Sequence, residues 1–146
     1  MTRTKLPAPP PTTPARTVGR FALAAALVFA GFSHLFWARD TFRVQVPKSV
    51  PLDEDGVVMA SGGIEIALGS GLALITRDRV MAGRLLAVFF VAVFPGNVAQ
   101  YVHKRDGFGL NSDRSRFVRL LFQPVLVAWA LWSTAVPRER HRTGPA

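Results

Sequence analysis

The run from Val57 to Ile75, VVMASGGIEIALGSGLALI, holds nineteen residues and a single charge, Glu65. A helix needs about 20 apolar residues to cross a hydrocarbon core roughly 30 Å thick. A carboxylate inside such a run costs at least ~2.5 kcal/mol to insert, so it is expected to face protein rather than lipid and to have a partner. The rest of the chain must therefore build an interior around position 65.

Three further apolar runs supply the material: Val18 to Trp37, Val80 to Val102 and Phe117 to Val136. Charged residues make up only 18% of the 146 and gather at the ends and in the connectors. These features predict an all-α membrane protein, a four-transmembrane-helix bundle over residues 18–136. A Pro-rich basic tail over 1–17 is expected to be disordered, and the basic tail 137–146 flexible. The first run is too long for a signal-peptide core and no small-x-small cleavage site follows it, so it reads as a retained helix.

The net charge of +9 does not point to nucleic acid, because the basic residues form no single stripe. They flank every apolar run, where Lys and Arg meet headgroups, and the expected partner is the lipid bilayer. The chain has no cysteine, which excludes disulfides, thiolate nucleophiles and CxxC redox pairs. No metal site is expected.

The connector Ala38–Gly56 contains Val46-Pro47, Val50-Pro51 and the acidic cluster Asp53, Glu54 and Asp55. Its prolines argue against a continuous helix. Phe42, Val44 and Val46 alternate with polar residues, as in a segment lying on the membrane surface. Pro95 in the third run is expected to bend its helix, because it removes a backbone donor and clashes with the Val91 carbonyl. Four spans place both termini on one side. Of the 18 Lys and Arg, ten fall on the terminal side and eight on the other, a small bias toward cytoplasmic termini in the plasma membrane.

That topology gathers polar groups into one half of the bilayer. His34 lies near the first connector, and Glu65 lies eight residues into its run, about 12 Å deep at ~1.5 Å per residue. Asn97 and Tyr101 share a face near the third connector, and Arg119 and Gln123 share another. Ser61, Glu65 and Gly69 form one stripe. Gly31 beside His34, with Gly62, Gly63, Gly69 and Gly71, would let helices approach closely. The candidates for a polar layer are thus His34, Ser61, Glu65, Asn97, Tyr101, Arg119 and Gln123, with Gly31, Gly62, Gly69 and Pro95 as structural residues. Each has a plainer reading. Gln123 serves equally as glue between helices, Arg119 as a headgroup anchor or as the partner of Glu65, and Asn97 as a group that satisfies carbonyls freed by Pro95. Glu65 alone reads as functional by default.

Five short strings carry a resemblance: GFSHLF at 31–36, the Val46-Pro47 connector, SGGIEIALG at 61–69, VFPGN at 93–97 and RLLFQPVLVAW at 119–129. Together they resemble DoxX-type membrane proteins over roughly residues 18 to 135. The resemblance implies a four-helix integral membrane protein whose characteristic positions map onto His34, Glu65, Pro95, Asn97 and Gln123. It also implies association with redox enzymes, the family name coming from a subunit associated with thiosulfate:quinone oxidoreductase.

Three functions follow as expectations. The first is a non-catalytic subunit or accessory protein of a membrane redox or stress-response system, with a redox-enzyme partner. The second is a binder or carrier of a small lipophilic ligand, with a quinone suggested only by the resemblance. The third, ranked last, is an enzyme using Glu65 and His34 as acid and base. No catalytic residue is assigned, and a homo-oligomer stays open.

Overall fold

A computed structural model describes residues 8–48, 51–107, 109 and 111–137. It contains five helices, α1 (Pro14–Phe36), α2 (Arg39–Arg43), α3 (Glu54–Leu74), α4 (Arg79–Val102) and α5 (Asp113–Thr134), and no strand among the described residues. Four of them, α1, α3, α4 and α5, are long and apolar enough to cross a membrane, and they form the expected bundle. Large apolar side chains such as Phe29, Phe36, Val88, Val91 and Phe122 stand exposed on its outside. A contiguous surface of that kind belongs against lipid, not water.

Side-chain caps start α1, α3 and α5. Thr13 caps α1 by accepting from the Arg16 N–H, with Pro14 in the first helical turn. The helix thus starts four residues before Val18, inside the segment expected to be disordered. Residues 1–7 and 138–146 of the two expected tails lie outside the described residues. Asp53 caps α3, and Ser112 with Ser115 forms a capping box on α5.

The helices pack as two close pairs, α1 with α3 and α4 with α5, and α1 also meets α5. Glycine explains the first pair. A Cβ on Gly31 would lie 2.5 Å from the Gly62 carbonyl oxygen, and one on Gly69 would lie 2.9 Å from the Ala24 carbonyl oxygen. Two backbones this close admit no side chain between them. Gly63 and Gly71 were expected to share that role and do not. A Cβ on Gly63 would meet nothing within 4 Å, and one on Gly71 would meet Ile75, the C-cap residue of its own helix. Gly83 performs the same service for the second pair, against Thr134.

The interior holds an apolar core, with buried polar groups toward both ends, Arg20, Arg79, Ser133 and Thr134 among them on the terminal side. Leu23, Leu27, Leu72, Leu86, Phe90 and Ala130 form an apolar core in the half nearer the termini. Buried His34, Asn97, Gln100, Arg116 and Gln123 lie in the half nearer the connectors. The first connector does not lie flat on the membrane. It forms α2 and folds back over the bundle end, burying Val46 and placing the Phe42 ring on His34. Arg105 holds it there by donating to the Val44 and Val46 carbonyls at 3.0 and 2.9 Å, which puts the first and third connectors on one side.

Candidate functional site

Glu65 sits halfway along α3, eleven residues after Glu54, so about 16 Å in rather than 12 at ~1.5 Å per residue. Its side chain is 13% exposed and faces His34 of α1, whose side chain is 6% exposed. His34 Nδ1 lies 3.5 Å from Glu65 Oε2. That is an ion-pair distance, longer than a closed N–H···O bond. Among the described residues, neither ring nitrogen of His34 nor Oε2 of Glu65 has a hydrogen-bond partner. Gly62 makes the approach of the two groups feasible, since a Cβ there would lie 2.7 Å from the His34 Cβ.

The second polar group joins α4 to α5. Asn97 Nδ2 donates to Gln123 Oε1 at 2.9 Å, and Gln123 Nε2 donates to the Phe90 carbonyl. Arg119 Nε donates to Asn97 Oδ1 at 3.3 Å. The helix α4 runs on through Pro95, and α5 through Pro124, next to Gln123. It is Gln123, not Asn97, that bonds a carbonyl in the turn below Pro95. Arg119 lies six residues into α5 rather than two, deep enough to enter this network. His34, Asn97 and Gln123 therefore lie in the half of the bundle nearer the first and third connectors, with Glu65 at mid-depth, and the hydrogen bonds described join Asn97, Gln123 and Arg119 while His34 only faces Glu65. Tyr101 joins neither; its ring packs on Phe117.

Sequence reasoning passed over Gln100, which is 1% exposed and accepts from Gln45 Nε2 at 3.3 Å while donating to the Arg105 carbonyl at 3.4 Å. Its position three residues after Asn97, on the same helix face, was the available signal. It also passed over Arg116, buried and paired with Asp106 and Asp113. The acidic cluster has a local use. Asp55 accepts from Arg43 Nη2 at 2.7 Å and faces Arg39 at 3.5 Å, tying α2 to α3. That bond holds the Arg43 guanidinium above its ordinary range.

A cavity of about 850 Å³ opens between α3 and α4 beneath the first connector. Its walls are mostly apolar, among them Val58, Ile64, Phe89 and Val93, with His34, Gln45, Asp53 and Ser61 as its polar members. Its volume and character fit a small-molecule site. Glu65 stands behind His34 and is not part of the wall. Gly96 lets the connector approach: a Cβ there would lie 2.9 Å from the Gln45 carbonyl oxygen.

No curated protein and no solved structure matches the chain. The domain of unknown function DUF8561 matches residues 23–134, from the first buried leucine of α1 to the last residue of α5. That span contains both polar groups and the whole cavity, and the chain belongs to the DUF8561 family.

Proposed function

We propose that this chain is an integral protein of the plasma membrane, with cytoplasmic termini, that binds a small lipophilic molecule between α3 and α4. The single observation behind this reading is the 850 Å³ cavity, apolar over most of its wall and bordered by a buried histidine. Ala60, Ile64, Ala92 and Pro95 are exposed cavity residues on the outer surface of α3 and α4, so the opening faces the acyl chains. A ligand would enter from lipid by partition. The protein binds or carries the molecule and performs no chemistry by itself.

The test is native mass spectrometry of the protein released from lipid nanodiscs. A small lipophile should travel with the protein, and Ala60→Trp, which fills the cavity mouth from the outer face, should expel it. Release of the unliganded chain alone by wild type, across host lipid extracts, would count against the reading.

The DoxX-like strings favour a second role, as accessory subunit of a membrane redox or stress-response system, with a quinone-like molecule as the ligand. GFSHLF carries His34, and SGGIEIALG carries Ser61, so the resemblance falls on two of the cavity's own polar residues and, with Glu65, on the group behind one of them. Affinity purification in mild detergent should then return a redox enzyme in stoichiometric amount; recovery of this chain alone would remove that role.

A further inference from the structure

A histidine that is 5% exposed normally has both ring nitrogens accounted for. Here neither has a hydrogen-bond partner among the described residues, and the ring borders a cavity large enough for a ligand. An unbonded polar group left in an apolar site is costly, on the order of 1–3 kcal/mol. Nδ1 faces Glu65 at 3.5 Å, so Nε2 is the nitrogen left for a bound molecule. The Phe42 ring covers the imidazole from the connector side, which keeps it from water.

Resting on the binding role proposed above, we infer that His34 is the polar anchor of the cavity and that Glu65 positions it, so that the ligand is a neutral lipophile carrying one carbonyl oxygen that accepts from the imidazole. A cationic ligand is disfavoured because the wall places no carboxylate near the imidazole; Asp53, the one acid of the lining, is exposed and occupied as the cap of α3. An anion lacks a guanidinium or ammonium in the lining. A fully apolar ligand would leave Nε2 unbonded. A carbonyl oxygen closes that gap by accepting from Nε2–H, and Nδ1, left as the acceptor, can draw toward the Glu65 carboxyl as Nε2 engages. Glu65 touches the histidine and not the cavity, so it is a positioning residue.

The experiment compares benzophenone with diphenylmethane, which has the same two rings and no carbonyl, on the full chain in nanodiscs. Binding is measured by equilibrium partition, and the ring nitrogens of His34 by ¹⁵N NMR. Benzophenone should bind about tenfold more tightly, the effect of one buried hydrogen bond, and should shift the Nε2 resonance. His34→Phe should bind both compounds equally. Glu65→Gln should keep diphenylmethane binding and reduce the preference for benzophenone, a split that mere loss of fold would not produce. Equal binding of the two compounds to wild type, or a preference that survives His34→Phe, would overturn the inference while leaving a binding cavity in place. If neither compound binds, the cavity reading falls and the anchor falls with it. The wild-type comparison stands even where a variant does not fold.

Discussion

Gln123 of α5 donates to the carbonyl of Phe90 on α4, in the turn that precedes Pro95, and the same side chain accepts from Asn97. One amide thus bonds the helix both before and after the proline. Replacing Gln123 by Leu leaves the Asn97 amide and the Phe90 carbonyl without that partner. The expected loss is about 1–2 kcal/mol, in keeping with hydrogen bonds between membrane helices. Reversible unfolding in mixed micelles measures it, and an unchanged midpoint would show that the amide is not glue.

Gly31 and Gly63 should respond in opposite directions to the same substitution. Gly31→Ala forces apart α1 and α3, because the new methyl meets the Gly62 backbone and Ile66. The expected cost is about 1–3 kcal/mol. Gly63→Ala meets nothing within 4 Å and gains helix propensity of roughly 0.5–1 kcal/mol. The same unfolding assay reads both.

Arg20 is 6% exposed and donates to the Leu72 carbonyl at 2.7 Å, closing the last turn of α3. Arg20→Leu should cost about 1.5–3 kcal/mol, the range for a hydrogen bond to a charged group. Hydrogen exchange should rise at the end of α3 around 72–75 and stay unchanged at its start. Equal exchange at both ends would indicate a general loss of packing instead.

Arg105→Ala should free the first connector, which loses two backbone contacts at Val44 and Val46. Limited proteolysis should then cut within 38–53 faster than in wild type, with the membrane helices intact. No change in cutting rate would mean that Phe42 and Val46 hold the connector by packing alone.

The native chain has no cysteine, so single cysteines report topology directly. Asp40→Cys and Asn111→Cys, in the first and third connectors, should react with an impermeant maleimide from one face of the membrane. Thr76→Cys, between α3 and α4, should react from the other. Labelling of 40 and 111 from opposite faces would break the bundle topology.

The four spans could be read from the chain because lipid imposes a length and a composition that few other structures share. The half of the bundle that holds His34, Asn97 and Gln123 was legible for the same reason: alternating direction puts each at a known end. What the chain did not reveal was pairing across helices. Arg119 with Asn97, and His34 with Glu65, depend on helix rotation and neighbour choice, which spacing along one helix does not set. Arg16 and Arg20 looked like headgroup anchors, and composition offers no way to separate such an anchor from a guanidinium turned inward onto a backbone carbonyl. The cavity was hidden because it is a place where two helices fail to meet.

Those two arginines have a consequence for biosynthesis. Arg16 donates to the carbonyls of Trp132 and Ala135, and Arg20 to that of Leu72, so α1 closes the ends of both α3 and α5. A nascent chain halted before residue 132 has nothing at the end of α5 for Arg16 to grip. The contacts by which Arg16 closes α5 therefore form only after residues 132–135 have been made and have folded back beside α1.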